Sequence, residues 1–426
     1  MAITLIQSPN NDGNNTTGRF PHAKTGMQVS TFKSDKYSNY EDFMYYIEIE
    51  NNKTGNKYSN LIPPLEDGGL SYYNLGQAVQ NSVWYDYTPA TKNIIKSENY
   101  IASYNVKYYE YYNSTIQIPS LVEKTYVVGN MILNVYNDGI DQINLLDYIC
   151  NNDKGKFLTN VNKTLRLKKD DYASFKVLNV KEPIDIDTNI KYLMYDIYLN
   201  DGTIISGSKS NHYSAKDPTD VDNTSSVLEL PIGPKNIDEL FVTTIKLSNG
   251  YIFVVNDILT INTSNIDYYY VWTDSNTHTQ SSQKYKIDVY CDKDDNLISW
   301  ENSLGGTDYF NFSKRDKKVI TTNQKTYEKN KYDWSGEYYN RVSKRGDTVY
   351  QNKYREVYTL YSPYLDTFEL EYIEGLFYSE NIEMLIDGKW YAGLNLKKKA
   401  TIIQKGDTGM KQYKFEIEID KNLILN

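Results

Sequence analysis

The residue order predicts a mainly β protein of tandem immunoglobulin- or fibronectin-like β-sandwich modules, with one short helix in the carboxy-terminal module. Three observations predict it. Short runs alternate apolar and polar side chains with period two, most cleanly where Tyr285, Ile287, Val289 and Cys291 interleave with Lys286, Asp288 and Tyr290. Turn signals such as Asn200-Asp201-Gly202 and Asp387-Gly388 punctuate these runs at short intervals. The best helical period is confined to Leu365 to Phe377, where Leu365, Phe368, Tyr372, Ile373, Leu376 and Phe377 fall roughly on one face after Ser362-Pro363.

Taken in order, residues 1–39 are rich in Asn, Ser, Thr, Gly and Lys and read as an extended arm with one short strand at Ile3 to Ile6. Residues 40–155 form a first sandwich module, with strands at Phe43 to Glu50, Tyr58 to Ile62, Leu70 to Leu75, Tyr100 to Tyr112 and Tyr126 to Tyr136. Loop-like residues around Asn151 to Gly155 place a boundary near 155. A second sandwich follows over 156–265, with a hairpin through Asn200-Asp201-Gly202 and a polar surface loop over Ser208 to Ser226. Residues 266–426 are a β-rich third module: Tyr268 to Trp272, Lys284 to Cys291, a polar stretch from Lys314 to Arg345, Val349 to Leu360, the helix near 365–377, and a closing meander.

Composition bounds the function. The 426 residues exceed what one hydrophobic core usually organises, so more than one domain is expected. Tyrosine stands out, with 43 Tyr against 12 Phe and 5 Trp. An AT-rich genome does not explain this, because Phe codons are equally AT-rich. A tyrosine packs its ring on a pleated sheet while the hydroxyl stays wet or hydrogen-bonded, which suits sheets and broad interfaces. A net charge of −9 with scattered basic residues argues against sequence-specific nucleic-acid binding. No basic-then-apolar leader and no long apolar run appear, so neither secretion nor a membrane span is expected. Cys150 and Cys291 stand far apart without metal-ligand spacing and read as buried free thiols.

Motifs for chemistry are lacking. Asp292, Asp294, Asp295 and Asn296 resemble the start of a calcium loop, but Leu297 and Ser303 stand where that loop needs Gly and Glu. His22, His212 and His278 sit in polar loops outside any nucleophile motif. The sequence therefore gives no catalytic residue, cofactor or metal ligand, and the chain is not expected to be an enzyme.

The most distinctive stretch is Leu297 to Phe312, LISWENSLGGTDYFNF, read as two strands joined at Gly305-Gly306, one of which should hold positive φ. Its residues Trp300, Asn302, Leu304, Gly305, Gly306, Asp308, Tyr309 and Phe312 resemble a motif in virion structural proteins of tailed phages infecting Bacteroidetes, including crAss-like phages. Tyr104 to Tyr111 and Leu376 to Trp390, with Ser379, Ile382, Met384 and Gly388, look similar to further segments of those proteins. Glu301 departs from the family's usual apolar residue before the Asn.

The resemblance implies stacked β-sandwich modules in a neck or tail ring, located in the virion after assembly in the host cytoplasm. The implied partners are further copies of the chain in a homo-oligomeric ring, and other virion proteins such as portal, neck or tail subunits. The alternative is a fibre or capsid-decoration protein that binds host glycans or a receptor. That alternative expects Tyr108, Tyr109, Trp272 and Trp390 on a free surface.

Overall fold

The computed structural model describes residues 3–425 apart from 8–28, 66–68, 76–77, 79–82, 84–86, 130–147, 149, 151–152, 180–189, 214–226, 276–278, 291–295, 313, 329–346, 395–400 and 405–410. The chain is mainly β, with several antiparallel sheets and, among the described residues, one α-helix. It divides into two compact units, Met1–Cys291 with Glu301–Tyr309, and Asp292–Trp300 with Phe310–Asn426.

The first unit opens with β1 (Thr4–Gln7), β2 (Val29–Lys33), β3 (Met44–Asn51), β4 (Lys57–Ile62), β5 (Leu70–Asn74), β6 (Ile95–Lys96), β7 (Ile101–Tyr112) and β8 (Thr115–Gly129). All but β6 form a three-stranded sheet, β1-β2-β5, and a four-stranded sheet, β4-β3-β7-β8. Alternate residues of β3 and β7 point inward, so Tyr45, Ile47, Ile49, Tyr104, Val106 and Tyr108 share one core with Phe32 of β2. The amino-terminal residues are thus only partly an arm. Phe32 is fully buried, and burying a ring of that size outweighs the polar character of its neighbours.

Next come β9 (Thr164–Lys168), β10 (Ser174–Leu178), β11 (Ile190–Leu199), β12 (Ile204–Ser210), β13 (Val227–Pro231), β14 (Glu239–Lys246), β15 (Ile252–Thr260), β16 (Ile266–Ser275) and β17 (Tyr285–Tyr290). Seven of them make the sheet β15-β14-β12-β11-β16-β17-β9, antiparallel except for the parallel pair β17–β9. The expected Asn200-Asp201-Gly202 turn joins β11 to β12, with Gly202 at φ 81°. A second sheet, β10-β13-β6, is tied to the first through hydroxyls. Tyr195 donates to the Pro231 carbonyl at 2.7 Å and Tyr269 to that of Ile232. Phe157 stacks on Tyr285 with ring centroids 4.6 Å apart. Because Ile95 and Lys96 pair with Glu229 and Leu228, the boundary expected near 155 falls inside this unit.

The remaining elements, which outside Glu301–Tyr309 make up the second unit, are β18 (Asn296–Glu301), β19 (Thr307–Phe312), β20 (Lys314–Glu328), β21 (Asp347–Tyr361), α1 (Thr367–Tyr378), β22 (Ile382–Ile386), β23 (Lys389–Leu394), β24 (Thr401–Gln404) and β25 (Lys411–Leu425). The sheet order is β19-β18-β22-β23-β25-β21-β20, with β24 also on β25. Asp366 caps α1: its carboxylate accepts from Glu369 N–H at 2.8 Å, and the Glu369 carboxylate accepts from Asp366 N–H at 3.2 Å. Leu370, Ile373 and Leu376 then pack into one core with Tyr358, Phe415 and Ile417.

Two expectations change here. Leu365 lies before the helix and bridges to Lys411, and Phe368 is 70% exposed, because the buried stripe runs through Leu370 together with the expected Ile373 and Leu376. The polar stretch after Lys314 is also no loop over its first part. β20 pairs along its length with β21, and its Val, Ile and Thr residues supply β propensity without an apolar alternation to reveal it.

Candidate functional site

The Gly-Gly motif is a tight turn set in the interior. Asn302 N–H donates to Gly306 C=O at 3.0 Å, and Gly305 N–H donates to Asn302 C=O at 2.9 Å. Inside this loop the Asn302 amide oxygen accepts from the N–H groups of Leu304 and Gly306, each at 3.0 Å, while its amide nitrogen donates to the Leu158 carbonyl at 3.1 Å. An amide is suited to this position because it accepts on one side and donates on the other. Gly305 has φ 71°, as expected for one of the pair. Gly306 is held by space instead: a Cβ there would lie 1.8 Å from the Leu158 carbonyl oxygen.

The two residues after the turn extend this seating. Asp308 is fully buried and accepts from Thr159 Oγ at 2.5 Å and from Asn160 N–H at 3.2 Å. Burial pushes its carboxyl up to about 6, and the hydrogen bonds from Thr159, Asn302 and Asn160 pull it partly back. The Tyr309 hydroxyl accepts from Ser174 N–H at 2.9 Å, and Tyr100 donates its hydroxyl proton to the Leu304 carbonyl. At the outer ends of the motif, Trp300 lies 5.3 Å from the Tyr372 ring and Phe312 meets Phe415 edge-on at 4.8 Å.

All eight motif positions are buried, and the polar atoms of Asn302, Asp308 and Tyr309 bond to neighbouring chain segments. What the arrangement does chemically is hold a turn against residues 157–160. Asn302 through Tyr309 belong to the first unit, and Trp300 and Phe312 to the second.

The other sequence candidates are not brought together. His212 is exposed, while His22, His278, Cys291 and the Asp292–Asp295 run lie outside the described residues. Cys150 is buried and free, with its thiol pushed up to about 12 by burial. Among the described residues no group of three or more His, Cys, Asp or Glu could hold a metal ion. Of the four aromatics named for glycan contact, Tyr108, Trp272 and Trp390 are buried and Tyr109 is half-buried. Lys284 Nζ sits 3.8 Å over the Trp272 ring, so one face of that indole is already occupied.

Sequence reading missed the buried ion pair Lys176–Glu229, at 3.7 Å with both side chains almost fully enclosed. The two stand opposite each other on β10 and β13, strands buried on both faces, and Thr88 donates its hydroxyl to Glu229. Opposite charges at register positions of two short strands were the available signal, and it needs the pairing to be known.

A scan against protein-family models finds no match for this chain, and a search of curated proteins finds none.

Two predictions follow from the turn. Gly306→Ala should lose about 3 kcal/mol or more in denaturant unfolding, because backbone must move to admit the methyl group, whereas Gly305→Ala should lose about 1–2 kcal/mol through its positive φ. The second concerns pH. The folded Asp308 carboxyl titrates above its unfolded value, so folding is favoured by protonation, and this contribution is lost as pH rises from about 4 to 6. Asp308→Asn keeps the acceptor without the charge. Its stability relative to the parent should therefore rise between pH 4 and 7 by up to about 3 kcal/mol, measured by unfolding at each pH.

Proposed function

We propose that this chain is a structural subunit of a tailed-phage virion, packing with copies of itself into a ring of the neck or tail and contacting other virion proteins above and below. The observation that carries this reading is the role of the motif on which the phage resemblance rests. Its eight residues are buried, and its polar atoms join strands and turns. A motif used in this way belongs to a framework whose product is shape. The mainly β architecture and the abundance of tyrosine fit the same role, since rigid sheets with amphipathic rings make broad subunit contacts.

The mechanism is mechanical. Each subunit presents one patch to the next around a rotation axis, and the heterologous contacts close into a ring. Electron microscopy of the purified chain tests it. Class averages should show rings of cyclic symmetry, single or stacked. A protein that stays monomeric at every concentration, with no ring seen, contradicts the reading.

A further inference from the structure

Strand β15 lies at the open edge of the seven-stranded sheet, and its first half is apolar on both faces. Tyr251, Ile252, Phe253, Val254 and Ile258 are 69%, 62%, 54%, 72% and 67% exposed, whereas three other sheet edges carry a charge or a proline. On β4 the edge carries Lys57, paired at 3.1 Å with Glu50. On β8 it carries Pro119, which has no N–H to offer a new strand. On β9, Arg166 and Lys168 supply charge. Residues 251–255 have no charge, proline or bulge, and the first interruption is Asn256 at φ 53°, where the register with β14 shifts. Unguarded edges of this kind are pairing surfaces.

The hairpin fixes which main-chain groups are free. Leu247 N–H donates to Tyr251 C=O at 2.8 Å, so Leu247 and Tyr251 form a hydrogen-bonded pair. Pairs alternate along an antiparallel ladder, and Phe253 opposite Ile245 is therefore bonded inward to β14. The N–H and C=O groups of Ile252 and Val254 point away from the sheet. Two copies of β15 laid antiparallel about a two-fold axis through Phe253 place Ile252 against the partner's Val254, a hydrogen-bonded pair, and Phe253 against the partner's Phe253, a close non-bonded pair.

We infer that β15 joins two copies of this chain edge to edge, making one continuous sheet across a two-fold axis. Three features select a second copy as the occupant. The segment is its own complement in this register, with branched aliphatic against branched aliphatic and ring against ring. It offers no charge for a different partner to recognise. Its exposed side chains present on the order of 500 Å² of apolar surface per copy, and an added strand covers their flanks as well as the free main-chain groups. The contact is isologous and distinct from the heterologous contact of a ring. A ring that carries it becomes a stacked pair of rings.

Cysteine trapping tests this. In the two-fold register the Phe253 Cα atoms lie about 4.5–5.5 Å apart, within disulfide reach. Under mild oxidation Phe253→Cys should give a covalent dimer on a non-reducing gel, whereas Thr260→Cys at the far end of the strand, and the parent chain, should stay monomeric. Val254→Lys, at an exposed position that leaves the fold intact by circular dichroism, should convert sedimenting dimers to monomers or stacked rings to single rings. Absence of the Phe253→Cys dimer, equal cross-linking at Thr260→Cys, or a parent whose assembly is unchanged by Val254→Lys overturns the inference. A trapped dimer without rings leaves this inference standing and removes the ring.

Discussion

A buried tyrosine hydroxyl must find a partner, and in this protein that requirement ties sheet to sheet. Tyr45 accepts from Ser34 N–H at 2.8 Å and donates to the Gly69 carbonyl, Tyr108 shares a hydrogen bond with Ser30 Oγ at 2.7 Å, and Tyr195 and Tyr269 reach the carbonyls of Pro231 and Ile232. Each ring fills core volume as a phenylalanine would, while its hydroxyl bonds to a backbone group or, for Tyr108, to a serine hydroxyl. Burial pushes the Tyr45 hydroxyl up to about 12 and those of Tyr100, Tyr195 and Tyr269 well above their usual range, so they stay protonated through the physiological range. The excess of tyrosine over phenylalanine thus has a structural use: bonds of fixed direction in a core otherwise held by non-directional packing.

The Gly-Gly turn obeys the same constraint from the other side. Its Asn302, Asp308 and Tyr309 bring polar groups into a fully enclosed place, and each finds a partner in Leu158, Thr159, Asn160 or Ser174. Gly306 lets the turn approach the Leu158 carbonyl closely enough for the rest of the set to form. One group is less well provided for. Asp308 is enclosed, and hydrogen bonds only partly offset the penalty that burial sets on its charge.

Much of the fold was legible because local chemistry decided it. Asn-Asp-Gly fixed the β11–β12 turn, the alternation of Tyr285, Ile287 and Val289 followed a sheet buried on one face, and Pro363 foretold a helix close behind. What was not legible depends on distant pairing. The parallel β17–β9 pair and the short β6 beside β13 join segments with no local signal, and β20 is polar because its partner strand, not an apolar stripe, holds it. At the turn, the positive φ of Gly305 could be read from the glycine pair. The role of Gly306 could not, because it depends on Leu158, which is remote in sequence.

The most direct measurement is equilibrium denaturant unfolding of Tyr195→Phe against the parent. Removing only the hydroxyl leaves the Pro231 carbonyl buried without that donor. Stability should fall by about 1–3 kcal/mol with the denaturant slope unchanged. An unchanged midpoint would show that ring packing alone holds the sheets together and would contradict the account.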